Sequence, residues 1–86
     1  MTTKNEIRQW LEEGVRQGAT NCIVVTDTFN YEDYPVFVMP GEDVRAKESE
    51  YRNADGSDKE MQRVMEIYDL SNALEPQLDE PRTMHY

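Results

Sequence analysis

The chain is poor in the groups that most often carry chemistry, with one cysteine and one histidine among 86 residues. A lone Cys22 excludes an internal disulfide, and a lone His85 leaves little from which to build a Cys/His or Ser/His/Asp arrangement. Hydrophobic runs are short, Cys22 to Val25 being typical, and none approaches the ~20 apolar residues of a membrane span. The N-terminal Met1-Thr-Thr-Lys-Asn-Glu6 lacks the basic segment and apolar core of a signal peptide, so a cytoplasmic setting is expected. Basic residues are scarce as well: nine Lys and Arg stand against eighteen Asp and Glu, a net charge of -9. Such a surface repels polyanions and argues against non-specific binding of DNA or RNA. Glycine-rich phosphate loops and basic-aromatic nucleic-acid motifs are missing.

What is present describes a small globular domain. A content of 37% hydrophobic and 31% charged residues suits a folded protein. A chain of this length buries only roughly 60% of its unfolded surface, so its core is thin and assembly into a homo-oligomer is expected. Residues 1–78 read as one α+β domain and residues 79–86, which hold no periodic pattern, as a flexible tail.

Thr3-Lys-Asn-Glu6 has the form of a capping box and predicts a helix from Lys4 to Gln17, with Ile7, Trp10, Leu11 and Val15 on its apolar side. Gly18 is suited to close that helix, while Gly14 inside it marks either a close backbone contact or a tolerated weakness. Cys22 to Thr26 is a continuous β-branched run, the pattern of a strand buried on both faces. It is therefore expected at the centre of a sheet. Tyr34 to Met39 alternates as a second, antiparallel strand, which is expected to be an edge or to start at Pro35 because Pro35 has no N–H to give to a ladder.

Pro40-Gly41 is a turn, and a second helix is expected from about Asp43 to Arg52, lying shallowly on the sheet by Val44, Ala46 and Tyr51. After a polar loop over 53–59, the segment from Met61 to Leu70 admits two readings. As a helix it would start at a capping box, Ser57 to Glu60, and bury Met61, Val64, Met65 and Tyr68. As a strand over Arg63 to Asp69 it would turn Met65 and Ile67 one way and Val64, Tyr68 and Leu70 the other. The strand is adopted, since a two-stranded hairpin is marginal alone. A right-handed crossover then gives three antiparallel strands in the order 2-1-3, with the second helix packed on them. From Ser71 one helical turn is expected, ended by Pro76.

No catalytic residue, metal ligand or cofactor is assigned. Asp27, Glu32, Asp33, Glu42 and Asp43 offer oxygen ligands, but their spacing matches no calcium or magnesium loop, and Asp55 to Asp58 lacks the bidentate Glu of an EF-hand. The notable concentration is Phe29, Tyr31 and Tyr34 beside Asp27, Glu32 and Asp33, three rings and three carboxylates on a short connection. Such a group is either a lid on the core or a recognition surface.

The run Gly18-Ala-Thr-Asn-Cys-Ile-Val-Val-Thr-Asp-Thr-Phe-Asn-Tyr-Glu-Asp-Tyr-Pro-Val-Phe-Val-Met-Pro-Gly-Glu-Asp-Val-Arg45 resembles a family of small uncharacterised bacteriophage and prophage proteins. The likeness continues through Met61-Gln-Arg-Val-Met-Glu-Ile-Tyr-Asp-Leu70. It implies no catalytic residues. By analogy it implies a non-enzymatic accessory protein that counters a host defence by binding. The expected form is capture of a small nucleotide signal, with Phe29, Tyr31 or Tyr34 stacking on a base and Arg45, Arg52 or Arg63 on phosphate. The alternative is an acidic inhibitor that sets Glu32, Asp33, Glu42 and Asp43 on a basic surface of a host protein.

Overall fold

The computed structural model describes residues 2–53 and 59–86. The alternative capping box at Ser57, the Asp55–Asp58 stretch and most of the 53–59 loop fall outside the described residues. Helix α1 spans Lys4–Gln17 and opens on the predicted box, with the Glu6 N–H donating to the Thr3 hydroxyl (3.1 Å) and the Thr3 N–H donating to the Glu6 carboxylate (3.4 Å). It closes at Gly18, whose φ of 80° is left-handed.

Strands β1 (Asn21–Asp27), β2 (Glu32–Val38) and β3 (Gln62–Asp69) form one antiparallel sheet in the order β2-β1-β3. This is the predicted α+β architecture. Cys22, Ile23, Val24 and Val25 of β1 are at most 2% exposed, which requires cover on both faces of the sheet. Each such side chain contributes about 1.5–3 kcal/mol when an aliphatic residue is fully buried. On the first face Cys22 and Val24 pack with Leu11, Tyr68 and Leu70 beneath α1 and α3 (Leu74–Asp79). On the second face Ile23 and Val25 pack with Val38, Val64 and Ile67, covered by Val44 of α2 (Val44–Glu48), Tyr51 and Met84.

Four local departures from the sequence pattern have physical causes. Val15 is 49% exposed and not on the buried side, because Gly14 takes the contact position and Val15 lies about 100° further round the helix. Helix α2 stops at Glu48, with Tyr51 and Arg52 donating to the Glu48 carbonyl in successive turns. With Ala46 exposed, little apolar surface remains to extend it. In β3 the alternation breaks at a bulge, where Val24 faces Glu66, Val25 faces Val64 and Met65 has no partner on β1. Val64 thereby joins Ile67 on the second face and Met65 turns outward. Pro76 does not end α3 but sits in its first turn, where a missing N–H costs no intrahelical bond.

Part of the segment expected as a tail is bonded to the sheet. The Ile67 N–H donates to the Thr83 carbonyl (2.8 Å) and the His85 N–H to the Ile67 carbonyl (2.9 Å), a parallel bridge on the outer side of β3. Thr83 is 1% exposed, its hydroxyl donating to the Gln77 carbonyl (2.7 Å). An outer strand has backbone donors and acceptors to satisfy, and these residues satisfy two of them. The opposite edge, β2, carries Pro35.

Two predictions follow from this packing. A Cβ at Gly14 would stand 2.6 Å from Leu70 Cδ1 and 2.9 Å from Phe37 Cε1, so the glycine permits close approach of helix to sheet. Gly14→Ala is expected to lower stability by about 1 kcal/mol, overpacking outweighing the better helix propensity. Urea unfolding that shows Gly14→Ala stabilised would overturn this. At the start of the β3–α3 turn, Asp69 accepts from the Ser71 hydroxyl (2.6 Å), the Ser71 N–H (2.9 Å) and the Asn72 amide (2.6 Å). The Ser71 hydroxyl, followed by the other donors, holds this carboxyl below the usual carboxylate range. A depressed folded pKa gives stability that is present at neutral pH and lost as pH falls below about 4. The melting temperature should decline over that range, and Asp69→Asn should flatten part of the decline.

Candidate functional site

The connection between β1 and β2 builds itself from its own side chains. The Phe29 N–H donates to Asp27 Oδ1 (2.8 Å) and the Glu32 N–H to Asn30 Oδ1 (3.1 Å), two Asx turns that fix the loop without core contacts. Tyr31 adopts a left-handed φ of 57°, and the Thr28 N–H donates to the Met61 carbonyl (3.1 Å) at the start of β3. The outcome is a tip on which Phe29 is 75% and Tyr31 78% exposed. Glu32 is exposed beside them, while the Asp33 carboxylate accepts from the Thr26 hydroxyl at 2.5 Å. Tyr34 is placed differently. It packs against the core of the second face, where burial, then Tyr51 and Asp27, raise its phenol pKa.

The three predicted arginines occupy separate surroundings. Arg45 lies over the Tyr86 ring, its guanidinium carbon 4.1 Å from the centroid. Arg52 donates to Glu48 (3.1 Å) and to the Val64 carbonyl (3.3 Å), and Glu48 also accepts from the Tyr86 hydroxyl (2.7 Å). Arg45, Glu48, Arg52 and Tyr86 thus form one cluster that fastens α2 to the last described residues. Its members are engaged with one another. Arg63 stands apart on β3, opposite Thr26.

The four predicted acidic residues fall into two pairs. Glu32 and Asp33 flank the tip. Glu42 and Asp43 lie beyond the other end of β2, a strand of seven residues and therefore roughly 20 Å away. There the Glu42 carboxylate accepts from the Met39 N–H (2.8 Å) and Lys47 (3.0 Å), and Asp43 caps α2 through the Arg45 N–H (3.3 Å). The Met39 N–H first, then Lys47, lowers the Glu42 pKa.

A depression lies where Arg63 stands. It encloses about 360 Å³ beside the β3 bulge and is lined by Arg63, Val64, Met65, Glu66 and Arg82. Arg82 was not among the residues singled out in the sequence, and its segment is too short for a periodic signal to reveal that it runs beside β3.

Among the described residues no three His, Cys, Asp or Glu side chains are grouped to hold a metal ion, and no helix is long and apolar enough to cross a membrane. Cys22 is fully buried, and that burial pushes its thiol up to about 12, away from the thiolate a nucleophile needs. His85 instead lies 3.0 Å from Glu80. Comparison with protein-family models, with curated proteins and with solved structures finds no match to this chain. The buried thiol supports a direct expectation. At pH 8 the native protein should react with a thiol reagent only as fast as it opens, and denaturant should release one rapidly reacting equivalent. Rapid reaction of the native protein would contradict the burial of Cys22.

Proposed function

We propose that this protein is a non-enzymatic binding protein that docks its β1–β2 tip on a basic surface of another protein. The observation that carries this reading is the exposure of Phe29 and Tyr31, side by side on a self-supported turn and flanked by Asp27, Glu32 and Asp33. Exposed rings on a rigid turn bury a large area at low entropic cost, and surrounding carboxylates favour a cationic counterpart. The resemblance to bacteriophage proteins makes a host defence protein or a host nucleic-acid-binding protein the expected partner. Capture of a nucleotide by the aromatic and arginine side chains takes second place. Phe29, Tyr31, Tyr34, Arg45, Arg52 and Arg63 stand in four separate places, and Arg45 and Arg52 are already engaged.

Native mass spectrometry of the protein recovered from a lysate of defence-active cells tests both readings and the expected homo-oligomer together. A retained basic protein that is lost with Phe29→Ala/Tyr31→Ala and released by salt supports docking, since both side chains lie outside the core. Retention that ignores the double substitution overturns it. A stoichiometric nucleotide released intact on denaturation would replace docking by nucleotide capture.

A further inference from the structure

We infer that the docking face at the β1–β2 tip continues onto Met61, and that its partner is a basic surface on which arginines are set among aromatic side chains. This rests on tip docking, to which it adds a third contact and the chemistry of the partner.

Two rings are too few for a stable interface. An aromatic side chain buries about 150–250 Å², so Phe29 and Tyr31 together supply at most about 500 Å² of the roughly 800 Å² that each partner contributes. More of the surface must be covered, and an exposed apolar side chain is rooted beside them. Met61 is 48% exposed and belongs to neither core cluster. Its carbonyl accepts from the Thr28 N–H at 3.1 Å, and the next residue, Gln62, stands opposite Asp27 in the sheet. Thr28 immediately precedes Phe29, so one hydrogen bond joins the backbone that carries the rings to the backbone that carries Met61.

The conformation at this end is unusual in the same two places. Tyr31 has a φ of 57° and Met61 a φ of 64°, left-handed values that glycine or asparagine adopts at less cost. The local backbone therefore does not call for a large apolar side chain at either position, and neither core cluster uses one there.

Charge and ring chemistry select the occupant. Asp27, Glu32, Asp33 and Glu60 lie in or beside these turns, against Lys59 and Arg63 as cations among the described residues. A second copy of this chain would bring the same carboxylates to the same place. An arginine suits both parts of the face, because its guanidinium bonds a carboxylate through two parallel N–H groups and also stacks on an aromatic ring. A thioether, in turn, makes favourable contacts with a partner's aromatic ring.

The test is an NMR titration of the full chain, its methionine methyl groups labelled with carbon-13, against a hexapeptide of alternating arginine and tryptophan and against hexa-arginine. The expected result is saturable binding of the alternating peptide, tighter than that of hexa-arginine, with shifts of the amides of residues 28–32 and of the Met61 methyl. The methyl of Met39, beyond the far end of β2, should not move. Met61→Gln should weaken binding about fivefold and Met61→Leu should retain it, with melting curves verifying that both variants are folded. A Met61 methyl that stays still while amides 28–32 shift overturns the third contact and leaves tip docking standing, as does binding that Met61→Gln leaves unchanged. Equal affinity for hexa-arginine overturns the aromatic part of the partner. Absence of any shift at 28–32 with either peptide overturns tip docking as well.

Discussion

The whole structure answers one demand, that four consecutive side chains of β1 be removed from water on both faces of a sheet. A strand meets that demand only at the centre, paired on both sides and covered above and below. Every other element can be understood by the part of that cover it provides. Helices α1 and α3 close the first face over Cys22 and Val24. Helix α2, Tyr51 and Met84 close the second over Ile23 and Val25. In so small a domain no element is spare, which is why even the last residues are drawn onto β3.

The two faces are closed by different physics. The first has a fourteen-residue amphipathic helix whose close approach is permitted by a glycine against Leu70 and Phe37. The second has a helix of five residues and relies on side chains that bind one another, with Glu48 accepting from Arg52 and Tyr86 while Arg45 stacks on the same ring. A partly buried carboxylate of this kind is satisfied only while both donors are in place. The thinner cover is thus held by polar geometry, the thicker by area.

The sequence carried the fold further than it carried the site. The capping box at Thr3, the glycine at 18, the β-branched run from Cys22 and the edge proline at 35 are local signals whose meaning does not depend on distant contacts. Strand order followed from composition, since the most apolar strand must lie between the others. What stayed hidden depends on three-dimensional pairing. The bulge at Met65 arises from register with β1, the pairing of 83–85 from an unmet strand edge, and the engagement of Arg52 from Glu48 and Val64. Within the candidate site, the concentration of rings on a short connection was legible, but not whether Phe29 and Tyr31 would cover the core or face solvent. The separation of Tyr34 from them was not legible, since it depends on packing against the second face, and neither was the approach of Arg82 to the β3 residues Arg63 to Glu66.

The β1–β2 turn has a further consequence. Its shape is set by the side chains of Asp27 and Asn30 bonding to the backbone just beyond them, and neither core cluster includes a residue between Thr28 and Tyr31. The rings at 29 and 31 are therefore free of any obligation to the core. The side chains at these two positions can change without cost to the interior, within the limit that the left-handed backbone at Tyr31 sets, whereas Asp27 and Asn30 are held by the turn itself.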